Sequence, residues 1–327
     1  MLNTINCILK AIKDFHNLEG YYIRKRIEAK YYIIVRSEGG AGFFSNYMWV
    51  LGHVVFARKL GYIPVVDMKN FPTLYSEEMP IDGVDNAWNY YFQDIGKVTL
   101  EQAYASGRYV MGKDKYLAKY AEKYSLPNYR YPTDRMIEYY GPIIEENIKL
   151  REELEKEYED AWNRKVSSSD HVLGIHIRGT DMKNDLGHPM PASIETYLEH
   201  TNRVLAQHPE INKIFLATDE NNVKEVYENA FKEDNRALFM NDAFRVWDRG
   251  EKRKTGVHET KVDNPRPNHK YLMGKEVLQD AWFLNKCEYL ICGHSNITNV
   301  VMLWNQKKFK QVVCVEPKEH DYMESVR

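Results

Sequence analysis

The sequence predicts an α/β protein whose C-terminal half is a doubly wound parallel sheet, and three observations carry that expectation. Short apolar runs such as V-L-G-I-H-I at 172–177 and I-F-L-A at 214–217 lack the polar alternation of a half-exposed strand; they fit strands covered on both faces. Segments with helical spacing of apolar residues separate these runs, as parallel strands require. The runs then stop abruptly at polar residues, which delivers hydrogen-bonding groups to one sheet edge, the edge where open α/β sheets bind ligands.

The chain opens with Leu2, Ile5, Ile8, Leu9, Ile12 and Phe15 at helical spacing, followed by Arg24, Lys25 and Arg26. Such a basic amphipathic stretch either packs on the protein or makes peripheral membrane contact. Tyr31 to Arg36 reads as a strand running into the glycine-rich turn S-E-G-G-A-G-F-F-S-N, and Phe43 to Leu60 reads as an apolar helix. Gly61 ends that helix, and the strand Tyr62 to Asp67 completes a β-α-β unit. Gly39 and Gly40 are candidate points of close backbone approach to a phosphate or sugar, or simply a tight turn, since they match neither the P-loop nor the dinucleotide pattern. From Asn70 to Tyr140 the pattern loosens into loops and short helices, and Glu145 to Arg164 reads as one charged helix. The polar break S-S-S-D at 167–170 sets the domain boundary, giving 1–166 and 167–327.

Beyond the boundary the alternation is regular. Strands Val172 to Arg178, Lys213 to Asp219, Ala237 to Met240, Glu288 to Cys292 and Gln311 to Val315 are separated by helices at 193–208, 222–231, 274–286 and 297–304. A basic loop with glycine and proline fills Arg245 to Lys270.

Composition removes several classes. Lys and Arg total 45 against 47 acids, a net charge of -2, so the positive field of a nucleic-acid binder is missing. Cys7, Cys287, Cys292 and Cys314 form no CxxC and no zinc spacing, which predicts reduced thiols. No run approaches the roughly 20 apolar residues of a membrane span, and the N-terminus lacks a signal-peptide pattern, which points to the cytoplasm.

The chemistry gathers where the strands end. His176 and Arg178 lie two apart and project from one strand face. Arg offers a planar fork of donors suited to phosphate. Asp219 follows the next strand, and Ser295 and Asn296 open a helix whose N-terminus suits an anion, although Ser295 also reads as a simple N-cap. Asp280 sits inside the apolar V-L-Q-D-A-W-F-L, where an acid needs a partner: either a basic side chain or the amino and ring N–H groups of a guanine. The chain contains no Asp-x-Asp, so a metal-held diphosphate has no support.

Three segments together resemble the GDP-fucose-dependent fucosyltransferases, the superfamily of α-1,6-fucosyltransferases, nodulation fucosyltransferases and protein O-fucosyltransferases. They are G-I-H-I-R-G-T-D at 174–181, I-F-L-A-T-D at 214–219 and V-L-Q-D-A-W-F-L-N-K-C-E-Y-L-I-C-G-H-S-N at 277–296. The resemblance implies a GT-B-like fold of two facing Rossmann-like domains, an N-terminal acceptor-side domain and a C-terminal GDP-sugar domain. It implies that Arg178 binds the β-phosphate, that His176 and Asp280 hold guanine, and that Ser295 and Asn296 meet the diphosphate. One departure is Gly179, where many members carry a second Arg; Lys183, His294 and the lysines at 252 and 254 are the cations available to compensate. Asp185 leads the candidates for the base that takes the acceptor's proton, with His188 and Glu38 behind it. Trp88, Tyr91 and Phe92 either line the acceptor groove or fill a satellite core. The expected activity is inverting, metal-independent transfer of L-fucose from GDP-fucose to a glycan or lipid-linked oligosaccharide, in the cytoplasm or peripherally at the inner membrane. Another nucleotide sugar, or a non-catalytic glycan-binding protein with a degenerate donor site, is the alternative.

Overall fold

A computed structural model describes residues 28–36, 41–127, 131–178, 190–245 and 266–317. Strand β1 (Tyr31–Ile34) is buried at every position. It lies at the centre of a parallel three-stranded sheet, between β2 (Ile63–Val66) and β3 (Tyr109–Met111). Helix α1 (Phe43–Lys59) connects β1 to β2 and is buried along nearly its whole length, as its lack of a polar face demands. Strand β3 was not expected from the sequence. Only Val110 of its three residues is buried, so the segment owes its conformation to pairing with Tyr31–Ile33 rather than to its own pattern.

Helix α2 (Leu100–Ala105) opens with a capping box in which Thr99 and Gln102 each accept the other's backbone N–H. Helix α3 (Lys115–Ala121) follows β3. The expected single helix over 145–164 is instead two, α4 (Asp134–Asn147) and α5 (Glu152–Asn163). The intervening residues are drawn into extended pairing: Phe92 bridges Leu150, Gln93 N–H donates to Lys149 O, and Arg151 N–H donates to Tyr91 O. Long-range backbone bonds have broken a helix that local spacing would continue.

The second sheet matches expectation closely. Its strands β4 (Val172–Ile177), β5 (Lys213–Thr218), β6 (Ala237–Phe239), β7 (Tyr289–Cys292) and β8 (Gln311–Cys314) are all parallel, in the order β6-β5-β4-β7-β8. The order reverses beside β4, and that switch point opens the ligand crevice of such sheets. Helices α6 (Ile194–Gln207) and α7 (Asn221–Ala230) contribute Tyr197, Val204, Val223 and Tyr227 to one face, where they join Ile175, Leu216 and Ile291. Helices α8 (His269–Lys286) and α9 (Asn296–Asn305) cover the other, with Phe283, Leu284 and Val300 against Phe215 and Leu290. The sheet is therefore doubly wound.

Helix α8 begins five residues earlier than the sequence suggested, so Gly274 lies inside it and not at its start. A Cβ at this position would lie 2.2 Å from the Tyr91 hydroxyl, so the glycine serves close packing between α8 and the N-terminal half. The largest apolar cluster is continuous from Tyr32 and Val66 of the first sheet through α1 to α9 and Phe215 of the second. Trp304 Nε1 of α9 donates to the Tyr47 hydroxyl of α1 at 2.9 Å within it. Among the described residues, no helix is long and apolar enough to cross a membrane. Cys287, Cys292 and Cys314 are free thiols, the first two buried. Cys7, the N-terminal apolar stripe and the basic triplet lie outside the described residues.

Candidate active site

The switch point between β4 and β7 is built from residues that the strands carry to their ends. His176, Arg178, Tyr197, Gly293, His294, Ser295 and Val315, together with Met190 to Ala192, line a narrow cleft. His176 faces the first turn of α9: its Nδ1 lies 3.4 Å from both Ser295 Oγ and Thr298 Oγ1. Burial, reinforced by the nearby Arg178 charge, pushes its pKa down to about 3. The imidazole is therefore neutral and acts as a hydrogen-bonding group, not as a second cation beside Arg178.

Ser295 is the N-cap of α9, accepting Thr298 N–H at 3.1 Å. The bland reading of this residue is thus correct as far as its side chain goes. What remains for a ligand is the helix end itself, with its positive dipole beside Arg178. Asn296 opens the helix and is 9% exposed. His294 projects from the turn, its Nε2 within 2.9 Å of both Glu316 oxygens and its ring stacked on Tyr131 at 4.3 Å.

A second polar group lies two strands away, past the end of β6. Asp280 of α8 is 8% exposed, and its Oδ1 accepts Asn241 Nδ2 at 2.9 Å. Desolvation pushes its pKa up to about 7; the Asn241 bond and Arg245 oppose the shift, while Glu276 and Asp219 add to it. Among the described residues, the hydrogen-bond partner of Asp280 is an amide and not the basic side chain that one sequence expectation offered. Arg245 binds the Thr218, Asn241 and Ala243 carbonyls at 3.1, 2.8 and 3.1 Å, tying the ends of β5 and β6 together. Arg266 makes a two-pronged pair with Glu276 at 2.6 and 3.0 Å, and Glu276 also accepts Phe244 N–H at 3.1 Å. These bonds fix the floor on which Asp280 stands.

Of the residues singled out in the sequence, His176, Arg178, Ser295 and His294 meet at one cleft, and Asp280 and Asp219 sit farther along the same edge. Gly39, Gly40, Glu38, Gly179, Lys183, Asp185, His188 and the lysines at 252 and 254 lie outside the described residues. Trp88, Tyr91 and Phe92 are 4%, 2% and 3% exposed and pack with Phe43 and Tyr47, so they are core and not an open groove. Asn241 stood at a strand end and was legible as such; Arg245, Glu316 and Tyr131 carried no local signal, because their roles arise from loops brought together by the fold.

No protein-family model and no curated protein sequence matches the chain. Solved structures do. The selenomethionine form of the fucosyltransferase NodZ from Bradyrhizobium superposes with a TM-score of 0.54 at 16% identity, over 88% of this chain and 95% of that one. NodZ α-1,6-fucosyltransferase co-crystallised with GDP gives 0.52 at 15% identity, over 88% and 96%. The form soaked with GDP-fucose gives 0.51 at 17% identity, over 84% and 92%. The chain shares the fold of NodZ. That is the GT-B-like arrangement expected from the sequence, with its C-terminal sheet doubly wound.

Proposed function

We propose that this protein is a glycosyltransferase that moves L-fucose from GDP-fucose to a glycan hydroxyl with inversion and without a metal. The observation that carries the reading is the convergence of Arg178 and the α9 N-terminus on one cleft at the switch point, with a buried acid, Asp280, farther along the same edge. A nucleoside diphosphate spans such an edge. Asp280, as a carboxylate, would accept the two donors of a guanine edge; Arg178 and the helix end would take the diphosphate.

In the reaction the acceptor oxygen forms a bond to C1 of fucose as the bond from C1 to the phosphate oxygen breaks. The electron pair leaves with GDP, and the acceptor proton passes to a base. Charge grows on the diphosphate, and a fixed guanidinium with a helix dipole stabilises it without reorganising. Asp185, then His188, is the base in this reading. His176 supports the site as a neutral group under the helix end. The acceptor is a lipid-linked or nucleotide-linked oligosaccharide of a bacterial surface glycan, met in the cytoplasm or at the inner membrane.

Incubation with GDP-fucose, EDTA and a panel of free and lipid-linked oligosaccharides tests this by mass spectrometry. One acceptor should gain a single deoxyhexose, with kcat falling roughly 10²- to 10³-fold in Arg178→Ala. Equal turnover in the variant, or transfer from UDP-sugars alone, would overturn the reading.

A further inference from the structure

We infer that Cys292 and Cys314 form a redox pair that closes reversibly into a disulfide beside the cleft. The two residues are partners in the parallel register of β7 and β8. They also share a sheet face: Leu290, Cys292, Val312 and Cys314 all belong to one apolar cluster, whereas Tyr289, Ile291 and Val313 belong to the cluster on the other side. Paired residues on neighbouring strands stand about 4.8 Å apart at Cα, inside the span of about 4.4–6.8 Å that disulfides cover. For the bond to form, their Cβ atoms need to close by about 1 Å, to about 3.8 Å. That movement is open to β8, since it is an edge strand of its sheet and Cys314 is its last residue.

The two thiols differ in the way such a pair requires. Cys292 is fully buried and Cys314 is partly exposed, so an oxidant reaches Cys314 first. A hydrogen bond from Cys292, helped by the Tyr131 hydroxyl, holds the Cys314 thiol below its ordinary range, while the same bond and burial push Cys292 up. Cys314 is therefore the thiolate that is attacked by the oxidant, and Cys292 is the resolving partner. With hydrogen peroxide, the Cys314 sulfur takes one peroxide oxygen to become a sulfenic acid, and the other oxygen leaves as water. The Cys292 sulfur then bonds to the Cys314 sulfur, the S–O bond breaks, and hydroxide leaves with the Cys292 proton as a second water. The two thiols lose two electrons in all, and one peroxide is reduced. The chain runs on from Cys292 into Gly293, His294 and Ser295, and from Cys314 into Val315, all of which line the cleft. Drawing the two strands together therefore displaces the cleft wall.

Peptide mass spectrometry of the native full chain, treated with hydrogen peroxide and then unfolded and alkylated, tests the pair. The main cross-link should join Cys292 to Cys314, disappear with dithiothreitol, and lose its preference when the chain is oxidised in denaturant. Cys314→Ser should leave Cys292 free for alkylation after the same treatment. No cross-link, cross-links that favour Cys7 or Cys287, or a sulfinic acid at Cys314 with Cys292 still a thiol would overturn the assignment. The effect on the cleft rests on the donor-site reading above. GDP affinity should fall roughly 10-fold on oxidation, about the loss of one hydrogen bond, and should hold in peroxide-treated Cys314→Ser. Equal GDP affinity of the cross-linked and reduced chains would overturn the link to the cleft. A reduced chain that binds no GDP would instead overturn the donor-site reading, with the cysteine pair still decided by the cross-link.

Discussion

Gly293 and Tyr197 are fitted to one another at atomic range. A Cβ on Gly293 would stand 2.1 Å from the Tyr197 hydroxyl but 3.4 Å from the ring carbon that bears it. Gly293→Ala should therefore cost about 1–3 kcal/mol, the usual penalty of overpacking. Adding Tyr197→Phe should restore part of it, a coupling that a double-mutant cycle by chemical denaturation measures. Strict additivity would contradict the contact. Asp280 makes a pH prediction. Its carboxyl is raised from 3.8 to about 7, so between those values the folded chain holds a proton that the unfolded chain has released. Stability from this group is complete at the acid end and is lost as pH rises through about 7. Between pH values of roughly 5.5 and 7, the wild type should lose stability more steeply than Asp280→Asn, by up to about 1.4 kcal/mol per pH unit. Parallel profiles would show that the carboxyl is ionised in the folded chain. Guanine donors favour the carboxylate, so GDP binding near neutral pH should also release a proton, visible as a dependence of the calorimetric heat on buffer ionisation enthalpy.

At the scale of elements, α9 depends on its first residue. Ser295→Ala removes the acceptor of Thr298 N–H and should destabilise the fold by about 1 kcal/mol, read from the denaturation midpoint. It should also loosen His176, whose Nδ1 lies near the same hydroxyl. This turn was legible in the sequence because G-H-S-N after an apolar run is a strand end followed by a cap. Strands β4, β5 and β7 were legible for a related reason: burial on both faces leaves continuous aliphatic runs that no surface element would carry. The short strand β3 and the break between α4 and α5 were not, since each depends on a partner far away in the chain. Gly274 misled for the same reason. Its place inside the helix, rather than at the start, depends on Tyr91 packed against it. Likewise Arg178, His176 and Asp280 stood out by residue type, whereas Tyr131 and Glu316 became site residues only through their places beside His294.

For the whole molecule, the decisive fact is that one apolar cluster runs through α1 and α9 and joins both sheets. Such continuity couples the halves energetically, and unfolding should be a single transition. Trp304 bonds Tyr47 and packs edge-on against Phe44 and Tyr47 with centroids 6.0 and 5.7 Å apart. Trp304→Ala should lower the single midpoint, at a cost of about 2–3 kcal/mol. Two separated transitions in scanning calorimetry would show that the halves fold independently.

The most direct measurement is a calorimetric titration of GDP, UDP and ADP into the wild-type chain and Arg178→Ala, with EDTA present. A GDP donor site predicts micromolar GDP binding, at least ~10-fold weaker binding of UDP and ADP, and loss of GDP binding in the variant. Failure to bind GDP, or equal binding of all three nucleotides, would contradict it.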